Sequence, residues 1–598
     1  MLSVIANWIY VLITTYIIGF ATLEGISKIG CMYTEKSKKK TEYTYRYNES
    51  YLIAGIVVVT VYAEIISLVT SVALAANVIL VIISFVLYYV YSEHINDRII
   101  HCIFKIMNTR SLLLYSAIFI LMAYGTSHGL MHYDTDLYHA QAIRWIQEYG
   151  VIKGLGNIHV RLGYNSASFA LSALYSGFFT GRPVHTMAGY FALLLAWQCA
   201  DLKHIARRQR PVLSDFVRLI AIYYLFTIFD EMVSPASDYF MATMVFYIVI
   251  HWLDLYAVHE RAFLPHALLA ICSVYVTTIK LSAAPMMLLA LCPIVRVLKK
   301  RGKEGIKPVL LCVLFCLLIS APYFARNVIL TGWLVYPFPQ IDLFSVAWKI
   351  PYETAISDAH EITAYGRGFT DAAMYSEPFV KWFPLWVKGL SVFNKMMLLL
   401  DAICLPVFAG CAIYYAVKDI SEKKKESAVS GSKENKVFQL SNRSTVSPFD
   451  FAFIEGIAYV ALAYFILTAP LVRYGGVYLW LPATMLVGRF FIILDNKALE
   501  GQKVHIYRAM AVMFAAFMLF KLVVLVKDDI PRFRPGYLLV QQEYNKYALN
   551  EKNIGGQMFY YPMEGDRTGY DPFPAVPNVD TVNMAGDSIS DGFLPYTP

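Results

Sequence analysis

YLIAGIVVVTVYAEIISLVT, residues 51–70, and VALAANVILVIISFVLYYVY, residues 72–91, hold a single charged side chain between them, Glu64. A helix crossing a bilayer needs ~20 mostly apolar residues, since it rises ~1.5 Å per residue through ~30 Å of hydrocarbon. Each run meets that length. Working outward, similar runs lie near 2–22, 111–130, 184–201, 216–229, 238–258, 262–279, 283–298, 308–325, 394–417, 450–469, 476–494 and 508–526. The expectation is an all-α polytopic integral membrane protein with about fourteen transmembrane helices. A further apolar stretch, 164–180, is short and ends at Gly181-Arg182-Pro183, which fits a half-helix or re-entrant element. The first run lacks a basic leader and a small-residue cleavage site, so it reads as a retained helix.

Composition agrees. Of 598 residues, 58% are apolar and 16% charged, against ~45–50% and ~25% for a soluble domain. The net charge of +8 then points to basic cytoplasmic loops and away from nucleic acid. The nine cysteines (Cys31, Cys102, Cys199, Cys272, Cys292, Cys312, Cys316, Cys404 and Cys411) show no zinc-ligand spacing and mostly sit in apolar runs. They read as small buried hydrophobes, and no residues are assigned to a metal.

Orientation follows from where bases collect. One cluster is Lys28, Lys36, Lys38, Lys39, Lys40 and Arg46; a second is Arg207, Arg208 and Arg210. A third is Lys299, Lys300, Arg301 and Lys303, and a fourth runs from Lys418 through Lys423, Lys424 and Lys425 to Arg443. Placing all four in the cytoplasm requires an even number of crossings between them, which the runs supply if 164–180 does not cross. Both termini then lie outside. The chain divides into a bundle over 1–417 with external loops 131–165 and 326–393, a cytoplasmic linker over 418–449, helices over 450–526, and an external polar tail over 527–598. That tail carries ten acidic and six basic residues and fits a small or loosely ordered cover over the mouth of the bundle.

Chemically suggestive residues gather on the external side. The motif His132-Tyr-Asp134-Thr-Asp136-Leu-Tyr-His139 opens a stretch with apolar residues at Leu137, Ala140, Ile143 and Ile146, the spacing of a short amphipathic helix lying on the surface. Asp136 stands where its N-cap would be. In an extended stretch Asp134 and Asp136 point to opposite sides, so one of them faces a substrate. Lys153-Gly-Leu-Gly through Arg161 to Ser166 could hold a phosphate through backbone N–H groups and the Arg161 guanidinium. Asp230, Glu231, Asp238, Lys280, Arg326 and Arg473 sit at other external junctions. A snorkelling base or a helix cap accounts for each one singly. Their common side joins them into a candidate anion pocket with a catalytic carboxylate at its rim. The aromatic-rich stretch 326–393 suits the headgroup layer.

These features resemble the GT-C class of glycosyltransferases, polytopic proteins with an acidic motif in an early external loop followed by a surface helix. More closely, several stretches are similar to a largely uncharacterised family of bacterial polytopic membrane proteins. They are Asp134-Thr-Asp-Leu-Tyr-His139, Tyr149-Gly to Tyr164-Asn-Ser166, Arg326-Asn327 with Tyr336-Pro-Phe-Pro339, Gly565-Asp-Arg-Thr-Gly-Tyr-Asp-Pro-Phe-Pro574, and Asp591-Gly-Phe593. The resemblance implies a polyprenyl-phosphate-linked sugar donor used on the non-cytoplasmic face of a bacterial inner membrane, in cell-envelope glycan assembly. Asp134, then Asp136, would be the catalytic acid of the loop. His139, Arg161, Asp238, Lys280, Arg326 and Arg473 would bind substrate, the bases taking the donor phosphate. Some members of the class use a divalent metal, and the sequence leaves that open. A transporter or flippase for a lipid-linked glycan, and a polysaccharide polymerase or ligase, are the other readings. The mid-segment charges, Glu64, Asp254 and Asp401, are few, which favours chemistry at the surface over a path through the bilayer.

Overall fold

A computed structural model describes residues 1–34, 49–106, 109–204, 211–428, 446–497 and 500–596. The chain opens with α1 (Leu2–Thr34), α2 (Glu49–Val69), α3 (Leu74–Ile106) and α4 (Thr109–Ser127). Short helices α5 (Ala140–Glu148) and α6 (Ala167–Leu174) precede α7 (Met187–Cys199), α8 (Leu213–Thr227), α9 (Ser237–Ala257) and α10 (Phe263–Ile279). A 3-10 stretch, Leu281–Ala290, leads to α11 (Leu291–Arg301), α12 (Ile306–Thr331), α13 (Tyr352–Gly366) and α14 (Phe379–Gly389). Next come α15 (Val392–Ala428), α16 (Pro448–Leu467), α17 (Val472–Lys497) and α18 (Glu500–Asp529), then a hairpin of β1 (Leu549–Ile554) and β2 (Gln557–Pro562).

Each of the fourteen apolar runs is centred on helical residues. Among the described residues, eight helical stretches are long and apolar enough to cross a membrane, by length and composition. Others are shorter: α7, α8 and α10 have 13, 15 and 17 residues, about 20–25 Å of helix. The stretch 164–180 yields only the eight residues of α6, every one buried. At about 12 Å it is a half-helix inside the protein. Gly19 and Gly55 let α1 and α2 cross in backbone contact, because a Cβ on either would come within 1.8 Å of a main-chain oxygen of the other helix.

The bundle is built around α9, in which every residue from Ser237 to Tyr256 is buried. The remaining helices pack around it, with α7, α8, α10 and α17 as its direct neighbours. The three C-terminal helices are part of this same packing, since α17 sits against α8 and α15. Residues from 418 to 428, read as linker, continue α15. Most of that linker, together with Lys36, Lys38, Lys39, Lys40, Arg46, Arg207, Arg208, Arg210 and Arg443, lies outside the described residues.

The segments expected on one side do meet at one end of the bundle. Asn157 donates to the Trp348 carbonyl at 2.8 Å, and Phe593 N–H donates to the Lys153 carbonyl at 2.9 Å. The chain start joins them, with Ser3 N–H on the Leu539 carbonyl at 3.0 Å. At the opposite end Asp450 pairs with Arg261 and Arg296.

The tail is ordered, where its polar composition suggested a loose cover. Gly555 and Gly556, at φ +59° and +82°, form the two-residue turn between β1 and β2, a conformation that glycine adopts without side-chain strain. The tail also corrects the surface-helix expectation. The apolar face of α5 (Ala140, Ile143, Ile146) does pack on the bundle, but its polar face is covered as well. Gln141 donates to the carbonyls of Gly569 and Tyr570 at 3.0 and 3.3 Å and accepts from Ala575 N–H at 3.2 Å. Arg144 binds Tyr570 and Asp571, and Gln147 accepts from the Tyr570 hydroxyl at 2.6 Å. Thus α5 is sandwiched between bundle and tail.

Candidate functional site: an interlocked carboxylate and base cluster

Five segments bring charged side chains together at the tail-bearing end. After α4, the chain turns through a π-helical loop, Thr135–His139, with Asp134 at its start; such turns recur at functional sites. Arg161 comes from a 3-10 turn, Val160–Gly163. Asp238 occupies the first turn of α9, where the helix dipole favours a carboxylate, and Lys280 is the residue that ends α10, where it favours a cation. Arg473 begins α17. That end of a helix disfavours a cation, so carboxylates must hold the guanidinium there.

They do so from two sides. Arg473 Nη2 lies 2.6 Å from Asp134 Oδ2, and its Nε lies 3.4 Å from Asp238 Oδ2. Asp238 also takes Lys280, whose Nζ stands 4.2 Å above the Tyr474 ring. Arg161 Nη1 is 3.6 Å from the other Asp134 oxygen, while its Nη2 pairs with Glu361 at 2.9 Å. His132 contacts the Arg473 guanidinium and accepts from the Asp134 N–H at 3.1 Å. Three bases against two carboxylates leave one positive charge in excess, offset at the rim by Glu361.

Burial alone would raise the Asp134 carboxyl, but the Arg473 guanidinium beside it holds it at about 2. Asp134 is therefore ionised at neutral pH and, in this arrangement, a feeble base. His139 is driven the other way. Burial lowers it to about 3, so it is neutral, and its Nδ1 sits 3.2 Å from Thr135 Oγ1. Burial lowers His132 too, with Arg473 adding to the effect.

Two expected members lie elsewhere. Asp136 does not cap α5, whose N-cap is His139, and it lies outside the charged cluster. Its Oδ2 accepts from Asn545 Nδ2 at 2.7 Å and the Tyr547 hydroxyl at 2.8 Å, and its carbonyl accepts from the N–H groups of Thr568 and Gly569. It fastens the tail, and burial raises its carboxyl. The two aspartates do point apart, but from a helical turn and not an extended strand. Arg326 is fully buried deeper in the bundle, bonded to Asn165 at 2.9 Å and to Ser67, with Glu64 near. The 153–166 loop also departs from a phosphate cradle: Gly154 N–H is spent on the Ile329 carbonyl and Asn157 N–H on Gly154, so only Arg161 reaches the cluster. Among the described residues no group of three or more His, Cys, Asp or Glu side chains could hold a metal ion.

Sequence reasoning did not find Asp358, on α13. It accepts hydrogen bonds from the hydroxyls of Tyr164 at 2.7 Å and Tyr336 at 2.9 Å. Burial raises it to about 6 against those two bonds, and Arg161 stands near. No local motif marks it, because its partners lie 194 and 22 residues away. Its folded carboxyl binds a proton more tightly than the unfolded one, so its contribution to stability is fully present below pH ~4 and is lost as pH rises through about 6. Two pKa units correspond to about 3 kcal/mol. Asp358→Asn should flatten the thermal-unfolding midpoint between pH 4 and 6 relative to wild type; an unchanged slope would mean that Asp358 already titrates as in water.

No curated protein and no solved structure matches the chain. A family model matches residues 1–480, a stretch that holds every member of the charged cluster and stops short of the tail. By that match the chain belongs to the family described as Domain of unknown function (DUF8201).

Proposed function

We propose that the protein is a GT-C-like glycosyltransferase with about fourteen crossings. In this reading it transfers a sugar from a polyprenyl-phosphate donor on the non-cytoplasmic side of a bacterial inner membrane, in cell-envelope glycan assembly. Both termini then face outward. The observation that carries this reading is the cluster of Asp134, Asp238, Arg161, Lys280 and Arg473, gathered from five segments at one end of an apolar bundle.

The resting cluster is closed on itself, so substrate must open it. A donor phosphate offers Arg473 and Arg161 another bidentate anion in place of Asp134. Exchange of partners frees the Asp134 carboxylate and removes the interaction that holds its pKa down, so its basicity rises as substrate binds. The acceptor hydroxyl then attacks the anomeric carbon: its oxygen forms the new glycosidic bond, and the bond from that carbon to the phosphate oxygen breaks. The hydroxyl proton passes to Asp134, and the charge left on the polyprenyl phosphate rests on Arg473, Arg161 and Lys280.

The test uses purified full-length protein with a polyprenyl-phosphate sugar and candidate acceptors. Product is expected from wild type and should vanish in Asp134→Ala; turnover retained in that variant removes Asp134 from the catalytic role. The second reading, a transporter or flippase for a lipid-linked glycan, is favoured by Asp401 and Glu455, acidic side chains buried in apolar helices. Substrate entering sealed vesicles without covalent change would select it.

A further inference from the structure

Acidic side chains buried within the apolar helices mostly have a base for company: Asp254 is bonded to Arg218, and Glu64 lies near Arg326. Asp401 and Glu455 differ in being two acids set against a single base, Arg489. Asp401 sits on α15 and Glu455 on α16, roughly 13 and 18 Å by helix rise from the end that carries the charged cluster. The two helices are held together here by the Tyr459 hydroxyl, which donates to the Asp401 carbonyl at 3.3 Å. The two carboxyls are close enough to repel each other as charges.

Their hydrogen bonding is incomplete. One Asp401 oxygen accepts the Ala483 N–H of α17 at 2.8 Å. Asp401 Oδ2 and both oxygens of Glu455 have no hydrogen-bond partner among the described residues, although Asp401 is 3% exposed and Glu455 0%. The titratable groups facing the pair are Cys404 from α15, Tyr459 from α16 and Arg489 from α17. Two carboxylates against Arg489 would leave a net negative charge in a medium that cannot solvate it. A single proton makes the set neutral and turns one orphaned oxygen into a donor for another.

We propose that Asp401 and Glu455 form a membrane-embedded proton-binding site, holding one exchangeable proton between them opposite Arg489. The proposal stands apart from glycosyl transfer. Asp401 ties α15 to α17, whose outer end carries Arg473, so the pair is hydrogen-bonded to a helix that also builds the charged cluster.

Full-length protein in lipid nanodiscs, in buffer with choline as the only added cation, allows a direct test by infrared difference spectroscopy against pH. The expected result is a protonated-carboxyl C=O absorption at neutral pH that fades reversibly as pH rises. It should be missing from both Glu455→Gln and Asp401→Asn and present in Glu64→Gln. The amide introduced by Asp401→Asn would still offer an oxygen to the Ala483 N–H, and Glu455→Gln breaks no hydrogen bond, so either variant alone suffices if the other fails to fold. The proposal is overturned if that absorption is as strong in both variants as in wild type, or if wild type lacks it. Loss of the band on adding sodium chloride at constant pH would also overturn it, by making the pair a sodium site.

Discussion

Arg473→Ala is expected to abolish product formation and to lower stability by about 3–5 kcal/mol, the usual effect of removing one partner from a buried ion pair. The guanidinium is bonded to Asp134 and flanked by Asp238, and all three side chains are largely buried. Without it, Lys280 still compensates Asp238 and Arg161 still reaches Asp134 at 3.6 Å. Two carboxylates then share weaker company at the start of a helix and beside apolar packing. Arg473→Lys keeps the charge but not the fork, and one ammonium cannot serve both carboxylates with the same geometry. It should recover part of the stability and little of the activity. Thermal unfolding of the solubilised protein and turnover on a polyprenyl-phosphate sugar are the two measurements. An Arg473→Ala protein as stable as wild type would mean that the two aspartates are hydrated or protonated, and that the cluster is not the closed network described above.

That cluster was partly legible in the sequence for a physical reason. Asp134 and Arg473 are 339 residues apart, yet an even-crossing rule applied to the basic loops assigned both to the same side, along with Arg161, Asp238 and Lys280. Sidedness is a property of charge and helix count. Depth is not. Arg326 satisfies the same rule and lies in a different, buried cluster, because the rule does not say how far along α12 a residue sits or which neighbour faces it. That Asp136 turns away from the cluster was not legible because its partners, Asn545 and Tyr547, belong to the tail, whose polar sequence gives no hydrophobic periodicity to read. The long apolar helices were legible because runs of this length leave the backbone no other way to satisfy its hydrogen bonds in lipid, whereas α13 and α14 fall within 326–393, where no such run marked them. Whether a given helix crosses alone or is covered by neighbours, as α6 is, depends on packing that hydropathy does not contain.

Arg218→Ala should be the other strongly destabilising substitution, again by about 3–5 kcal/mol. Arg218, on α8, is 1% exposed. Its Nε donates to the Gln198 carbonyl of α7 at 3.2 Å, and its Nη1 donates to Ser214 at 2.9 Å and to Asp215 at 3.2 Å. Its Nη2 binds Asp254 of α9, and Asp254 in turn accepts from Ser214 at 2.5 Å. One side chain thus joins α7 and α8 to the central α9, at the end opposite the Arg473 cluster. Deleting it leaves Asp254 charged among apolar helices. Deleting Asp254 as well removes that residual charge, so the double variant Arg218→Ala/Asp254→Ala should lose less stability than the two single losses combined. The sign of that non-additivity is the informative quantity. If the double variant is as unstable as simple addition predicts, Arg218 acts through its bonds to Gln198 and Ser214 and not as the counter-charge of Asp254. Because this ion pair lies far from the proposed chemistry, its loss should lower the amount of folded protein while leaving turnover per folded molecule unchanged. Arg473→Ala should depress both.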